Sequence, residues 1–418
     1  MSQTDSQRSF AALRHPGYRA YFILASMAMM ADSIEHVISY WVLFEKFQSP
    51  ALGGFAIISH WLPFLLFSVW SGALADRFDP RRMIQIGTVL FMGVSVAWGL
   101  LFTFDVLEIW HAVALLILHG LGGVLWGPPT QLLVHEIVGR EQLQSAIRLN
   151  SMGRYLGLLM GPAVGSAIML MLGPANGILV NALIYLPLVI WLWKAPYGPK
   201  FRKTKPMPAR TVRGFKDIFS TALAIAENRT VVTMVLLGGS AAFFIGNGYH
   251  PQMPEFAYDL GHGNGGLTYG LLLAADACGA LFAGLVLESL GLLRPKARSA
   301  LILAMLWCFF IAAFSASTNY LIALALLFAV GFVELSFNSM AQTLVQLRAP
   351  SEMRGRVIGL YNMSSLGMRT FSGVTIGVIG GYIGIHWSLA LSALVLLVII
   401  TMLFTYLARP ESTATTVE

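Results

Sequence analysis

Long apolar runs alternate with short polar gaps along the whole chain of 418 residues. A bilayer crossing needs about 20 mostly apolar residues. Twelve runs reach about that length: 20–43, 52–75, 83–104, 109–133, 146–171, 176–194, 230–252, 267–288, 299–317, 320–345, 357–382 and 386–407. Each predicts a membrane-spanning helix. The runs around 120–130 and 150–165 are rich in Gly and Pro, which such helices tolerate better than soluble ones do. The longest polar gap, KAPYGPKFRKTKPMPARTVRGFKD at 194–217, lies almost at mid-chain and is basic and rich in Pro. It divides the chain into a six-helix bundle over 1–194, a linker over 195–229 and a second six-helix bundle over 230–418. A short amphipathic helix over 211–228, lying on the inner leaflet, is expected in the linker.

The gaps also carry a sign. With the N-terminus inside and the runs alternating, the inside segments hold Arg8, Arg14 and Arg19; Arg77, Arg81 and Arg82; Arg140 and Arg148; the run from Lys194 to Lys216; Arg294, Lys296 and Arg298; Arg348, Arg354 and Arg356; and Arg409. The outside segments hold only Lys46. Positive charge is retained on the cytoplasmic side, so both termini are expected there. An odd number of spans spoils this asymmetry.

Composition agrees. Only 11% of residues are charged and mean hydropathy is +0.70, against about 25% charged in soluble domains. A soluble protein this apolar could not cover its surface, so lipid is the solvent for most of the chain. The net charge of +7 fits basic loops on one membrane face. No basic stretch is interleaved with base-stacking aromatics, so nucleic acid is not an expected partner. Cys278 and Cys308 both lie in apolar runs and offer neither a disulfide framework nor metal-ligand spacing. The polar first twenty residues lack a signal peptide's apolar core and cleavage site.

A weak internal repeat supports the division. At an offset of 211, Gln131, Val134, Glu141, Ile147, Leu149 and Met152 fall on Gln342, Val345, Glu352, Ile358, Leu360 and Met363. At 212, Gly72 falls on Gly284 and Asp76 on Glu288.

One gap concentrates the charge. In SGALADRFDPRRM, residues 71–83, five of thirteen positions are charged: Asp76, Arg77, Asp79, Arg81 and Arg82. The spacing Gly72, Leu74, Ala75, Asp76, Arg77, Arg81, Arg82 resembles the loop between helices 2 and 3 of the major facilitator superfamily, with Pro80 in place of a glycine. Physically, Gly72 permits close helix approach, and Asp76 at a helix end can accept hydrogen bonds from the positive N-terminus of another helix. Arg77 and Arg81 can pair with carboxylates. The resemblance implies an all-α fold with twelve spans in two pseudo-symmetric bundles, substrate bound between them, and this stretch, with Arg82, as a latch that breaks in one conformer. It also implies a monomer and no enzymatic activity.

A second stretch, GLLMGPAVGS at 157–166, resembles the antiporter pattern of drug-exporting facilitators through Gly157, Gly161, Pro162 and Gly165; Ser166 and Arg148 depart from it. Small residues at this spacing permit tight packing and Pro162 bends the helix. RGRV at 354–357 resembles the subgroup of bacterial macrolide and siderophore exporters, which implies a drug-like or siderophore substrate.

Ionisable groups inside a span cost at least about 2.5–3.5 kcal/mol and usually mark function. In ADSIEHVIS, Asp32, Glu35, His36 and Ser39 stand at i, i+3, i+4 and i+7, one helical face. That face is expected to point into a central cavity and to carry the proton. Asp276, Glu334, Arg154 and Arg369 are the other intramembrane charges, and Asn247 stands at the repeat position of His36. His36, His60, His119 and His250 read as separate packing residues, with no metal expected. No phosphate-binding loop or nucleophile elbow is present. No cofactor is therefore expected, and a proton gradient supplies the energy.

Together these features predict a bacterial inner-membrane exporter of a small organic molecule, working by proton antiport and alternating access. A proton-coupled or facilitative importer remains open. So does a lipid-handling or sensor protein on the same fold.

Overall fold

The computed structural model describes residues 10–47, 50–201, 216–262, 266–292 and 294–408. The described residues are helical, without strands. In chain order the helices are α1 (Pro16–Phe47), α2 (Pro50–Arg77), α3 (Pro80–Thr103), α4 (Ile109–Val138), α5 (Leu143–Lys194), α6 (Lys216–Ile225), α7 (Arg229–Phe244), α8 (Met253–Ala257), α9 (Gly266–Ser289), α10 (Ala297–Ser315), α11 (Tyr320–Arg348), α12 (Arg354–Ser365), α13 (Ile379–Ile383) and α14 (Ile385–Ala408). Among the described residues, nine of these are long and apolar enough to cross a membrane.

Four predicted spans take a different form. The fifth and sixth are joined as α5, 52 residues long, which breaks at Gly173. There φ is 75° and ψ 166°, a conformation that needs glycine, and Pro174 follows. The seventh begins as α7 but leaves the helix at Ile245, turns through Gly246 at φ 46°, and continues as a 3-10 turn. The eleventh is a chain of short pieces: α12, a 3-10 turn over Gly367–Phe371, a π turn over Gly373–Val378, and α13. Broken backbone at membrane depth survives only where it is buried or lines a wet cavity. Asn247 and Arg369 stand on two of these breaks.

The core forms in two parts. One large apolar cluster, with Trp307 and Phe337 at its heart, draws on residues from Ile225 to Leu403, with Val69 as its single outside member. Two others, one around Tyr18, Tyr21 and Tyr185 and one around Trp98, use only residues before 193. Two small clusters cross between the parts: Tyr155 with Ala280, Ala283 and Leu335, and Ala75, Met83 and Leu132 with Ile358. In lipid the hydrophobic effect does not drive helices together, so close packing of small residues has to. Gly157, Gly161 and Gly165 supply it. They form one stripe of α5 against α1, where an added Cβ at Gly157 comes within 3.0 Å of the Met29 and Met30 backbone and one at Gly165 within 3.4 Å of Ile34. At Gly161 it collides with Ser33. Pro162 lies inside α5, beside that stripe. The outer face is apolar, and exposed Trp110, Trp193 and Trp387 lie near helix ends, as aromatics do at membrane interfaces.

Of the expected linker helix, α6 covers 216–225; residues 202–215, which include the stretch 211–215, lie outside the described residues, as do Arg8 and Arg409. Asp217, Thr221 and Ile225 are the buried face of α6, and Phe219 and Leu223 are exposed on the other. Asp217 lies 3.8 Å from Arg356 of α12.

At the opposite end of the molecule Lys46 donates to Asp105 at 2.6 Å. This hydrogen bond, then the charge of Lys46, holds the Asp105 carboxyl below the usual range. A depressed carboxylate contributes stability above its unfolded pKa and loses it as pH falls through the folded one. The pair is solvated, so its share is small. Lys46→Met is expected to lower the Tm slightly at neutral pH and to leave it unchanged at acid pH, so that the acid limb flattens, measured by Tm against pH.

Candidate functional site

The end of the molecule that carries 71–83 is interlocked. Asp76, in the last turn of α2, accepts hydrogen bonds from the backbone N–H of Gly355 at 2.7 Å and Arg356 at 3.0 Å. These belong to the first turn of α12, whose unpaired N–H groups and dipole favour an anion. Glycine makes the approach geometrically open. A Cβ at Gly72 overlaps the Gly355 carbonyl, and one at Gly355 lies 2.6 Å from Asp76 Oδ1. The arginines do other work. Arg81 Nη2 reaches Asp79 at 2.6 Å, and its Nη1 donates to the Ala195 carbonyl, tying the loop to the end of α5. Arg82 bonds Gln85 at 2.7 Å and lies over Trp193. Arg77 lies over the ring of Phe78, 5.4 Å away, and not against the carboxylate expected for it.

The same device recurs in pseudo-symmetric form. Glu288, at the end of α9, bonds Ser145 in the first turn of α5 and lies 3.8 Å from Arg148, which donates to the Leu287 carbonyl at 2.9 Å. Gly284 stands against Met152. Between the two clamps, Gln131 of α4 bonds both Asn362 at 2.9 Å and Gln346 at 3.2 Å, and Arg140 donates to the Leu347 carbonyl at 2.9 Å.

Beyond these contacts lies a cavity of about 240 Å³, walled by both parts of the chain. Its lining includes Asp32, His60, Trp61 and Arg154 from the first part, and Asn338, Gln342, Tyr361 and Arg369 from the second. Arg369 donates to Asn247 at 2.7 Å and lies over Trp61. Arg154 lies over Tyr155, and its Nε is buried without a hydrogen-bond partner. Among the described residues, neither arginine makes a salt bridge, so the cavity presents two cationic groups and one carboxylate.

Asp32 and Glu35 part company. Asp32 lines the cavity. Glu35 turns behind it, almost fully buried, where Ser95 of α3 donates to Oε2 and His119 Nδ1 lies 2.8 Å from Oε1. The expectation that the whole 32–39 face opens into the cavity is therefore corrected. Residues i and i+3 differ by about 60° around a helix of 3.6 residues per turn, enough to put them at the two nitrogens of the His119 ring. Ser39 bonds its own helix at the Glu35 carbonyl. His36 lies behind Asp32, with Nδ1 2.7 Å from the Asp32 carbonyl. In the second part, buried Asp276 meets Tyr249 and His250, both at 3.2 Å, and buried Glu334 interacts electrostatically with Asp276, Arg369, His250 and Arg154.

A family model described as transmembrane secretion effector matches residues 7–417. The chain belongs to this family of major facilitator transporters. Solved members of the superfamily share the fold. The proton:xylose symporter XylE superposes with a TM-score of 0.72 at 15% identity, covering 94% of this chain and 95% of that one. A bacterial homologue of the iron transporter ferroportin, in its outward-facing state, gives 0.71 at 15%, covering 94% and 100%. The human organic anion transporter MFSD10 gives 0.71 at 12%, covering 93% and 99%. Among sequence relatives, the staphyloferrin A transporter of Staphylococcus aureus is 22% identical over 52% of this chain and 57% of its own length. MdtD of Cronobacter sakazakii, named for multidrug resistance, is 32% identical over 28% of this chain and 24% of its own. The chain thus spans between a quarter and just over half the length of these relatives.

In this facilitator, sequence reasoning missed His119, His60 and Ser95. His119 holds Glu35 on one nitrogen while its Nε2 lies 3.0 Å from Asp32 Oδ1, off the line of a hydrogen bond. The one available signal was need: buried carboxylates require partners, and lone polar residues on apolar helices are where partners come from.

Proposed function

We propose that this facilitator exports a small organic molecule with an anionic group across a bacterial inner membrane in exchange for protons. The framework is read as twelve spans in two bundles, divided at the 195–229 linker, with both termini cytoplasmic. A monomer suffices, because the cavity is walled by one chain. The carrying observation is the cavity itself: among the described residues, two arginines free of salt bridges face it, and its single carboxylate, Asp32, lies against His119, which holds buried Glu35.

The cycle then follows. The interlocked end is read as the cytoplasmic gate in its closed state, held by Asp76 on α12 and Glu288 on α5. Substrate anion bound at Arg154 and Arg369, and proton bound at the Asp32–His119–Glu35 group, favour different arrangements of the two bundles. Each ligand shifts the balance only by its differential affinity. Asp276 with His250, and Glu334, offer a second polar cluster in the other bundle. The relatives favour export, since MdtD is named for multidrug resistance and the Staphylococcus aureus protein for transport of a siderophore.

Organic anions in inside-out proteoliposomes with an imposed pH gradient test this. An anionic solute is expected to accumulate in these vesicles and to move protons outward. Arg369→Gln is expected to raise half-saturation at least about 10-fold, since a hydrogen bond to a charged group is worth about 1.5–3 kcal/mol. A neutral analogue should be indifferent to the change. Accumulation only in right-side-out vesicles makes the protein an importer. Equal loss for the neutral analogue removes Arg369 from anion recognition.

A further inference from the structure

Three histidines from three helices converge at the wall of the cavity: His36 of α1, His60 of α2 and His119 of α4. One nitrogen from each lies within 4.8 Å of the others. Ring centroids are 4.8 Å apart for His36 and His119, 5.1 Å for His36 and His60, and 5.7 Å for His60 and His119. Histidines gather in membranes to hold protons or metals. We propose that His36, His60 and His119, with Asp32 as fourth donor, form a binding site for one divalent transition-metal ion of the Zn²⁺ class.

The hydrogen-bond pattern favours metal over mere packing. A metal-ligating imidazole typically gives its second N–H to a carboxylate or carbonyl, which sets the tautomer and aims the free lone pair at the ion. His119 has that arrangement: Nδ1 lies 2.8 Å from Glu35 Oε1, and Ser95 in turn holds the carboxylate. Its Nε2 is buried without a hydrogen bond. His36 has it too, with Nδ1 2.7 Å from the Asp32 carbonyl. His60 Nδ1 is buried and has no partner at all. A buried imidazole nitrogen left without a partner, as His60 Nδ1 is, is costly unless a ligand takes it up.

Charge and geometry close the argument. Two carboxylates, Asp32 and Glu35, and three neutral imidazoles balance a dication, which in a low-dielectric site is worth far more than in water. Zn–N bonds of about 2.0–2.1 Å at a tetrahedral angle place nitrogens about 3.4 Å apart. The three imidazoles therefore have to draw in from 4.8 Å at their widest, with Asp32 already 3.0 Å from His119 and 3.8 Å from His36. Imidazole with one carboxylate suits Zn²⁺, Co²⁺, Ni²⁺ or Cu²⁺ over Mg²⁺ or Ca²⁺. Asp32 and His60 line the cavity, which gives an access path.

Full-length purified protein, with any affinity tag removed, tests the proposal by titration with Co²⁺ and Zn²⁺. One equivalent of Co²⁺ is expected to bind with the intense visible absorption of a four-coordinate site, and Zn²⁺ is expected to displace it. Glu35→Gln, which keeps the ligands but loses the orienting carboxylate, is expected to weaken Zn²⁺ binding about 10–100-fold. His60→Gln is expected to weaken it at least as much, and His386→Gln, outside the cluster, to leave it intact. Weak octahedral Co²⁺ spectra, no stoichiometric binding, or affinity unchanged in His60→Gln overturns the site. The wild-type spectrum decides alone where a variant does not fold. Failure here leaves proton-coupled export standing, because that reading needs only the same groups protonated.

Discussion

Asp32→Asn is expected to abolish accumulation driven by a pH gradient while exchange of labelled for unlabelled substrate continues. The asymmetry between the two assays is the point. Exchange needs only a cavity that opens to alternate sides with substrate aboard. Accumulation against a gradient also needs a group that carries a proton through the same change. Among the described residues Asp32 is the one carboxylate in the cavity lining, and its Oδ1 lies 3.0 Å from His119 Nε2. Glu35 holds the other nitrogen of the same ring. The two carboxylates share one imidazole, so an amide at 32 leaves the group unable to pass a proton to the cavity. Glu35→Gln acts one step further back. It loses the charge that orients His119, and is expected to uncouple transport partly while the cavity stays intact. Counterflow and pH-driven uptake measured on the same proteoliposomes separate these outcomes. Full pH-driven accumulation by Asp32→Asn takes this residue out of the mechanism.

The second large effect is steric. Gly72→Leu is expected to hold the interlocked end open and to stop turnover. A Cβ at position 72 meets the carbonyl of Gly355, which is backbone and cannot rotate aside. Overpacking costs about 1–3 kcal/mol. Pushing α12 away also stretches the two bonds to Asp76, each a charged hydrogen bond worth about 1.5–3 kcal/mol. A loss of even about 3 kcal/mol shifts a two-state balance by more than 100-fold. Asp76→Asn removes the charge without the bulk and is expected to shift it about 10-fold. The readout is the labelling rate of a cysteine at Gln131, between the clamps, in a background lacking Cys278 and Cys308. Label applied from the interlocked side should react faster in Asp76→Asn and fastest in Gly72→Leu. Transport at the wild-type rate with labelling unchanged in Gly72→Leu would falsify the latch.

Much of the membrane architecture was legible in one dimension, because its cause is local. Each span must be apolar by itself, since lipid satisfies no backbone group. So runs of apolar residues announce helices, and the clustered charge at 71–83 announces a loop. Glycines four residues apart at 157, 161 and 165 likewise mark one helix face, whatever packs on it. Breaks were harder to read. The turns after α7 and within 367–383 fall inside stretches long enough to read as single spans, and their breaks show in the backbone conformation.

Partnership was decided in three dimensions. Asp76 could be placed at a helix end from its neighbours, but that the N–H groups facing it belong to Gly355 and Arg356, some 280 residues on, is a matter of tertiary packing. His36, His60 and His119 have no periodicity in common, because they stand on three helices whose only relation is contact. Glu35 and Asp32 share a helix face by spacing, yet α3 and α4 pack over one and leave the other open to the cavity. A chain in lipid must declare its helices residue by residue, while the partners of its few buried polar groups come from any helix that packs beside them.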